Sequence, residues 1–156
     1  MRKRIVCAAL ALCMLLGLCG CGAEEEAPPV AELGAAMLAA DAGFPEMKTV
    51  ESDASLFANV SDVDYGKVEA YYLAYSADGL ADEIVLVRMK KNRDTAAIKE
   101  SLEKHRDGRI RLYRNYKASE AARAEAGIVF VSGRDVALVI SDARGAVRKA
   151  YEETRG

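Results

Sequence analysis

Few side chains in this sequence belong to the types that carry out catalysis. Histidine occurs once, at position 105, and the four cysteines all lie within the first 21 residues. A serine, histidine and acid triad would therefore have to use His105, for example with Ser132 and Asp135. Helical spacing places His105 on one stripe with Ile98 and Leu102, which indicates a structural histidine at a packing face. We expect no catalytic constellation and no enzyme activity.

Metal-binding patterns are equally sparse. The segment Asp62-Val63-Asp64-Tyr65-Gly66 is similar to the opening of a calcium loop, but its glycine comes one position early. No acidic residue stands where such a loop requires its bidentate ligand. We interpret the segment as a polar turn before a strand. Because the sequence also lacks zinc spacing and a Gly-rich phosphate loop, we expect no metal and no cofactor.

Two neighbouring carboxylates stand at the predicted start of a strand, at Asp82 and Glu83. Successive residues of a strand point to opposite faces, so these groups are not expected to share a proton as an acid and base pair. We interpret them as the solvated lip of a hairpin. An envelope hydrolase or transferase that uses carboxylates alone therefore remains only the alternative function.

The thiol of Cys21 carries the most specific chemical expectation. Leu18, Cys19 and Gly20 precede it, and this order of leucine, small residue, glycine and cysteine resembles the lipobox of bacterial lipoproteins. The resemblance implies a thioether lipid on the Cys21 sulfur and cleavage just before that residue. A diacylglyceryl group brings two acyl chains, which would make membrane attachment stable.

The segment before Cys21 has the layout of an export signal. Three basic residues at positions 2–4 precede an uncharged apolar run from Ile5 to Leu18. That run holds about 14 residues, whereas a helix needs about 20 to cross the hydrocarbon core. We predict a lipoprotein signal peptide over residues 1–20 and a protein anchored at the extracytoplasmic face of the cell membrane. An ordinary secretory signal with chance cysteines is the alternative.

Removal of the signal peptide would change the composition of the chain. All four cysteines lie in or next to it, which excludes a disulfide framework or a thiolate metal site in the mature domain. The 22 basic residues less the three at positions 2–4 leave 19 against 24 acidic ones, a formal charge of −5. This acidity argues against a nucleic-acid partner. The 156 residues less 20 leave 136, enough for one domain.

Two charged segments of the mature chain could position it or contact other molecules. Residues 21–29 hold the lipidated cysteine, three glutamates and two prolines, and we predict a tether whose eight residues after Cys21 reach at most roughly 28 Å. The stretch Lys104–Lys117 is the most basic one. Its candidate contacts for a phosphate-rich polymer or lipid headgroups are Arg106, Arg111, Arg114 and Lys117. The same charges are also typical of a solvated helix face, and Asp107-Gly108 could break that helix.

The elements that position these side chains follow from the periodicity of apolar residues. Helical spacing predicts helices over Val30–Ala42, Ser52–Ala58, Asp94–Tyr116 and Asp142–Glu153. Runs rich in β-branched and aromatic residues predict two hairpins, with strands Lys67–Tyr75 and Glu83–Lys90, then Ile128–Val131 and Asp135–Ile140. A strand-strand-helix unit is thus used twice. We predict a single α+β domain over residues 30–156, with an antiparallel sheet of about four strands packed with helices.

The strands at Ile84–Val87 and Val136–Ile140 are apolar on both alternating faces. Both faces of the sheet should therefore be covered. We expect the two amino-terminal helices to cover the face opposite the two later ones.

Several segments together resemble a family of small bacterial lipoproteins, mostly from Gram-positive organisms, that is known as a domain of unknown function. The residues that carry the resemblance are the lipobox, Ala81–Val87, Gly127–Val131 and Val136–Ile140. Tyr116 also fits, although the proline expected shortly after it is absent. The resemblance carries no activity. We expect a membrane-anchored, non-catalytic envelope lipoprotein whose domain binds a partner protein, a wall polymer or a small ligand.

Overall fold

The computed structural model describes residues 27–156. The predicted signal peptide, the lipobox, Cys21 and the first part of the tether lie outside the described residues. The elements within the described range are α1 (Val30–Ala39), β1 (Met47–Glu51), α2 (Ala54–Phe57), β2 (Val68–Ser76), β3 (Glu83–Met89), α3 (Thr95–Arg114), α4 (Ala118–Glu125), β4 (Ile128–Ser132), β5 (Asp135–Ile140) and α5 (Arg144–Arg155). Short 3-10 turns at Tyr65–Lys67 and Asn92–Asp94 precede β2 and α3.

The strands form one antiparallel sheet in the order β1-β2-β3-β5-β4. The predicted α+β class is confirmed, and the strand-strand-helix unit occurs twice, as β2-β3-α3 and as β4-β5-α5. The fifth strand, β1, was not expected from the sequence. It is a short edge strand that pairs only with β2, from Met47 opposite Ser76 to Glu51 opposite Tyr72. Its largely polar sequence gives no buried-strand pattern.

Helices cover both faces of the sheet, as the two-sided apolar strands predict. One core lies between the sheet and α2, α3 and α4, and includes Val85, Leu138 and Leu102. The other lies between the sheet and α1 and α5, and includes Leu86 and Tyr151.

The expected distribution of helices between the faces is wrong, since α1 shares a face with α5 and α2 shares the other with α3 and α4. Gly34 shows why α1 takes its place. A Cβ atom at this position would overlap the ring of Tyr72, so the glycine allows α1 to lie directly on that ring. The chain then passes around the sheet edge through β1 before α2 begins.

Helix α3 is continuous through Asp107 and Gly108, so the predicted break is wrong. One interior glycine costs roughly 1 kcal/mol relative to alanine. Burial of Ile98 and Leu102 on one side of it and of Tyr113 on the other stabilises the uninterrupted helix. The helix ends at Arg114, and the alanine-rich α4, which the sequence pattern did not predict, follows after a short turn.

The sheet has two ends that matter for function. At the carboxyl end of β3, the Arg88 guanidinium donates to the carbonyl of Pro28, at 2.9 Å. We call this the tether end, because Pro28 belongs to the predicted tether. At the amino end of β3 lies the loop 77–82, which the Tyr113 hydroxyl contacts through the Gly79 carbonyl at 2.7 Å. We call this the cleft end, and α3 runs from the tether end to it.

Candidate functional site

A cleft of about 390 Å³ opens at the cleft end, between the end of α2, the loop 77–82 and α3. Its lining residues are Leu56, Asn59, Val60, Leu73, Tyr75, Ser76, Ala77, Gly79, Leu80, Glu83, His105 and Arg109. A smaller cavity of about 240 Å³ adjoins it and shares Asn59, Val60 and His105 with it. Ligand pockets in proteins commonly enclose about 300 to 1,000 Å³, so the cleft is large enough for a small ligand.

One wall of the cleft carries a buried carboxylate paired with the histidine. The Nε2 atom of His105 lies 2.8 Å from Glu83 Oε2, and the two side chains are 16% and 5% exposed. Glu83 is therefore buried at the first position of β3, and the interpretation of Asp82 and Glu83 as a solvated lip is wrong. His105 lies on the packing side of α3, as its spacing from Leu102 predicts, but its partner is an acid instead of an apolar side chain.

Arg109, one turn after His105, completes this cluster. Its Nη2 atom donates to the Leu80 carbonyl at 2.8 Å, and its guanidinium lies 5.0 Å from the ring centre of Tyr113. Its Nε atom is 4.0 Å from Glu83 Oε2, too far for a hydrogen bond. That buried Nε has no hydrogen-bond partner among residues 27–156. The cluster thus holds one donor without an acceptor.

The loop that forms the rim of the cleft is held from several sides. Burial raises the pKa of Tyr113, against the opposing charge of Arg109, so its hydroxyl keeps its proton and donates to Gly79. The Ser76 hydroxyl oxygen accepts from two loop N–H groups, and Glu120 accepts from the N–H of Ala81 at 2.8 Å. The rim is therefore an ordered wall of the site.

Asp82 belongs to a separate cluster. Its carboxylate accepts from Arg123 Nη1 at 2.8 Å, and Arg123 also contacts Glu120 and Asp142. Burial raises the pKa of Asp82, while the Arg123 charge opposes that shift. Because Asp82 pairs with Arg123 and Glu83 with His105, the two carboxyl groups act apart, as alternation along a strand predicts.

The tether end holds a third cluster, which is buried and centred on Asp135. This carboxylate accepts two hydrogen bonds from Arg88, at 2.6 and 2.9 Å, one from the Tyr151 hydroxyl at 2.9 Å and one from Arg155 at 3.0 Å. Arg88 in turn donates to Pro28. The Arg155 guanidinium also donates to Tyr151 Oη and to the carbonyl of the β4–β5 turn. A cavity of about 600 Å³ adjoins Arg88 at this end.

The conceivable triad of His105, Ser132 and Asp135 is not assembled. His105 contacts Glu83 at one end of β3, whereas Asp135 pairs with Arg88 at the other. These two positions on β3 lie roughly 17 Å apart at about 3.3 Å per residue.

The predicted anion-contacting residues lie on the later part of α3 and just after it, in the half of the helix nearer the cleft end. Arg106 donates to the Gly127 carbonyl at 3.4 Å, Arg114 lies 3.5 Å from Glu125, and Lys117 lies 4.0 Å from Glu120. Arg111 is exposed and lines the smaller cavity beside His105. Three of the four thus have partners within the domain, and Arg111 contributes to the wall of the smaller cavity.

Two residues of the cleft cluster, Glu83 and Arg109, were not recognised from the sequence as site residues. A signal for them was present, because His105 and Arg109 are two polar residues on an otherwise apolar helical stripe. Such residues need a buried partner of opposite charge or a hydrogen-bond acceptor. Glu83 supplies it from a strand 22 residues away, and local pattern does not identify that pairing.

Among the described residues, none of the helices combines the length and the apolar character needed to cross a bilayer. Within the same range, no group of three or more histidine, cysteine or acidic side chains is arranged to hold a metal ion.

Residues 42–141 match a protein family described as Domain of unknown function (DUF4358). Neither a curated protein nor a solved structure matches the chain. The matched segment contains all five strands and every residue that lines the cleft, whereas α1 and α5 lie outside it. The chain therefore belongs to the DUF4358 family.

Proposed function

We propose that this protein is a lipid-anchored, non-catalytic lipoprotein of the cell envelope whose domain binds a small ligand in the cleft. The observation that carries the binding role is the cluster of Glu83, His105 and Arg109 on the wall of that cleft. Burying charged groups costs free energy unless they are fully paired. Here the pairing is incomplete, since the buried Arg109 Nε has no acceptor within residues 27–156.

The chemistry of the cleft defines the class of ligand. Leu56, Val60, Leu73 and Tyr75 supply an apolar surface, and the charged cluster supplies donors on one wall. Glu83 neutralises part of the positive charge of that cluster. A ligand with an apolar group and one hydrogen-bond acceptor, such as a carboxylate or a carbonyl, fits this arrangement best.

Support for the anchor comes from the signal sequence and the lipobox that ends at Cys21. The test is labelling of cells with radioactive palmitate, using the full chain and its Cys21→Ala variant. The variant should lose the label, because no other cysteine follows the predicted cleavage site. Cys19→Ala is the matched control and should keep the label, since alanine is also small. Undiminished label in the Cys21→Ala variant would contradict the anchor.

The binding role is tested by photo-crosslinking in living cells. A benzoylphenylalanine replaces Tyr75, which lines the cleft, or Lys149, which is 71% exposed on α5 on the other face of the sheet. We expect irradiation to attach a small molecule of defined mass at position 75 and not at position 149. Equal products at both positions, or none at position 75, would argue against a ligand in the cleft.

The hydrogen bond between Glu83 and His105 is also an arrangement used for general bases, so a hydrolase or transferase is the second candidate. Two features favour binding. Glu83 is the only acid among the lining residues of the cleft, whereas glycoside chemistry uses two carboxylates about 5 to 10 Å apart. The Ser76 hydroxyl oxygen is already an acceptor for two loop N–H groups.

The identity of the captured ligand separates these two candidates. The free compound, identified from the mass of the crosslinked product, is incubated with purified protein and then analysed by mass spectrometry. A binding protein returns the ligand unchanged. A product that forms with the unmodified protein and does not form with the Glu83→Gln variant would identify an enzyme instead.

A further inference from the structure

We propose that the tether end of the domain docks on an anionic bilayer surface, so that the cleft faces away from the membrane. This inference rests on the proposed anchor at Cys21 and adds to it the face that meets the bilayer and the lipid charge that it recognises. It is carried by two independent features: where the chain enters the domain, and where unpaired cations are exposed.

The entry point of the chain lies at the tether end. Arg88 Nη1 donates to the carbonyls of Ala27 and Pro28, at 3.4 and 2.9 Å, and Arg88 is itself fixed by Asp135. Six peptide units separate Cys21 from Ala27, and they span at most about 21 Å even when fully extended. A lipid on Cys21 therefore keeps the tether end within that distance of the bilayer surface.

An exposed group of cations lies at the same end of the sheet as this entry point. Lys90, Lys91 and Arg93 directly follow β3, and all three are exposed. Lys90 donates to the Gly66 carbonyl, which holds it at this end. Within residues 27–156, neither Lys91 nor Arg93 forms an ion pair or a side-chain hydrogen bond. We call Lys90, Lys91 and Arg93 the basic rim.

The acids near the basic rim are largely occupied by other groups. Asp94 pairs with Lys67 at 3.5 Å, Glu69 pairs with Arg134, and Asp64 accepts from the N–H of its own turn. Lys91 and Arg93 are therefore exposed cations without an acidic partner, at the same end of the sheet where the chain enters and where Glu51 is an exposed acid. Anionic headgroups attract such clusters over about one Debye length, roughly 8 to 10 Å at physiological salt.

Docking at the tether end fixes the direction of the cleft. Glu83 and the loop 77–82 lie at the opposite end of β3, roughly 17 Å from Arg88. Helix α3, with 20 residues, runs about 30 Å in the same direction. Arg111, Arg114 and Lys117 are thereby placed far from the bilayer, so the basic rim, and not this stretch, is the surface for headgroups.

The test uses the full-length lipidated protein, purified in detergent and reconstituted into vesicles. After processing, the only cysteine is the alkylated Cys21, so one introduced cysteine can be labelled uniquely with a fluorophore. Asn92→Cys places the label beside the basic rim, and Asn115→Cys places it just after α3 at the cleft end. Lipids with a quencher on the headgroup then report which label lies closer to the bilayer.

With phosphatidylglycerol in the vesicles, we expect quenching at position 92 to be several times stronger than at position 115. The difference should shrink in pure phosphatidylcholine and in 1 M salt. The difference in quenching between the two positions should disappear in the combined variant Lys90→Gln, Lys91→Gln, Arg93→Gln. It should stay unchanged in the variant Arg111→Gln, Arg114→Gln, Lys117→Gln, which removes the same charge at the cleft end.

The outcomes separate this inference from the anchor. The mass of the amino-terminal peptide is measured first, and a chain without lipid on Cys21 would overturn both proposals. A lipidated chain with equal quenching at the two positions would overturn the docking alone. A preference for position 92 that persists in phosphatidylcholine and at high salt would show that the tether orients the domain without anionic lipid, and would also overturn the docking.

Discussion

Each end of β3 carries a buried charged cluster, but the two clusters differ in how completely they are hydrogen-bonded. At the tether end, Asp135 accepts from Arg88, Tyr151 and Arg155. At the cleft end, Glu83 accepts from His105, and the nearby Arg109 leaves its buried Nε without an acceptor within residues 27–156. A fully satisfied buried network holds its members in place, whereas the network at the cleft end leaves a buried donor unpaired.

The two clusters also differ in exposure. The side chains of Arg88 and Asp135 are 7% and 2% exposed, although a cavity adjoins Arg88. The side chains of His105 and Arg109 on the cleft wall are 16% and 21% exposed. We therefore assign a structural role to the cluster at the tether end and a binding role to the cluster at the cleft end.

The largest expected effect is on stability, from Asp135→Ala at the tether end. Removing this carboxylate leaves the buried Arg88 guanidinium without its partner. Breaking a buried ion pair in this way costs roughly 3 to 5 kcal/mol of the free energy of unfolding. Urea unfolding measures this loss of stability. Glu69→Ala, which breaks the exposed pair with Arg134, is the control and should cost less than about 1 kcal/mol. Similar costs for the two variants would contradict the structural role.

A smaller loss of stability is expected from Tyr151→Phe. The phenol donates to Asp135 at 2.9 Å and accepts from Arg155 at 2.7 Å. Hydrogen bonds to charged groups contribute about 1.5 to 3 kcal/mol, more than neutral ones. Tyr113→Phe, which removes a hydroxyl bonded to the Gly79 carbonyl, should cost only about 1 kcal/mol. If urea unfolding shows a larger cost for Tyr113→Phe than for Tyr151→Phe, the charged partners of Tyr151 do not add to its contribution.

At the cleft end, His105→Gln should affect binding more than stability. A glutamine amide can still donate to Glu83, so we expect the free energy of unfolding to fall by less than about 1.5 kcal/mol. The yield of the photo-crosslinked product from position 75 should fall several-fold, because the ring that faces the cleft is lost. A His105→Gln variant that loses stability but captures the ligand normally would contradict the binding role assigned to the cleft end.

The smallest expected effect concerns pH and Asp82. Burial raises its pKa above the ordinary value of 3.8, so protonation favours the folded state. This contribution to stability is present below pH 3.8 and is lost as pH rises through the higher folded-state pKa. The free energy of unfolding is therefore compared for the unmodified protein and Asp82→Asn at pH 7 and at about pH 4. Relative to the variant, the unmodified protein should be more stable at the lower pH. Urea unfolding at both values measures this, and a constant difference would exclude the raised pKa.

Much of the fold could be predicted because its strongest elements have local signals. The two hairpins, α3 and α5 follow from the periodicity of apolar residues, and their bounds differ from those predicted by only a few residues. Strand β1 and helix α4 have no such signal, since β1 is a mostly polar edge and the buried side of α4 consists of small residues and Glu120. The face that each helix covers depends on long-range packing, as Gly34 against Tyr72 illustrates.

The candidate site could be predicted less well than the fold. His105 was recognised, but its pairing with Glu83 joins residues that are 22 positions apart on a helix and a strand. The cleft itself forms only where α2, the loop 77–82 and α3 meet. A cavity of this kind depends on tertiary structure, so neither residue type nor spacing indicates it.

The proposed position of the domain at the cell surface depends on the proposed anchor, and one measurement tests that anchor directly. The mature protein is extracted from cells, digested, and its amino-terminal peptide is analysed by mass spectrometry. We predict that the first residue is Cys21 and that its sulfur carries a diacylglyceryl group. A mature chain that begins at another residue, or an unmodified Cys21, would contradict the proposed lipoprotein.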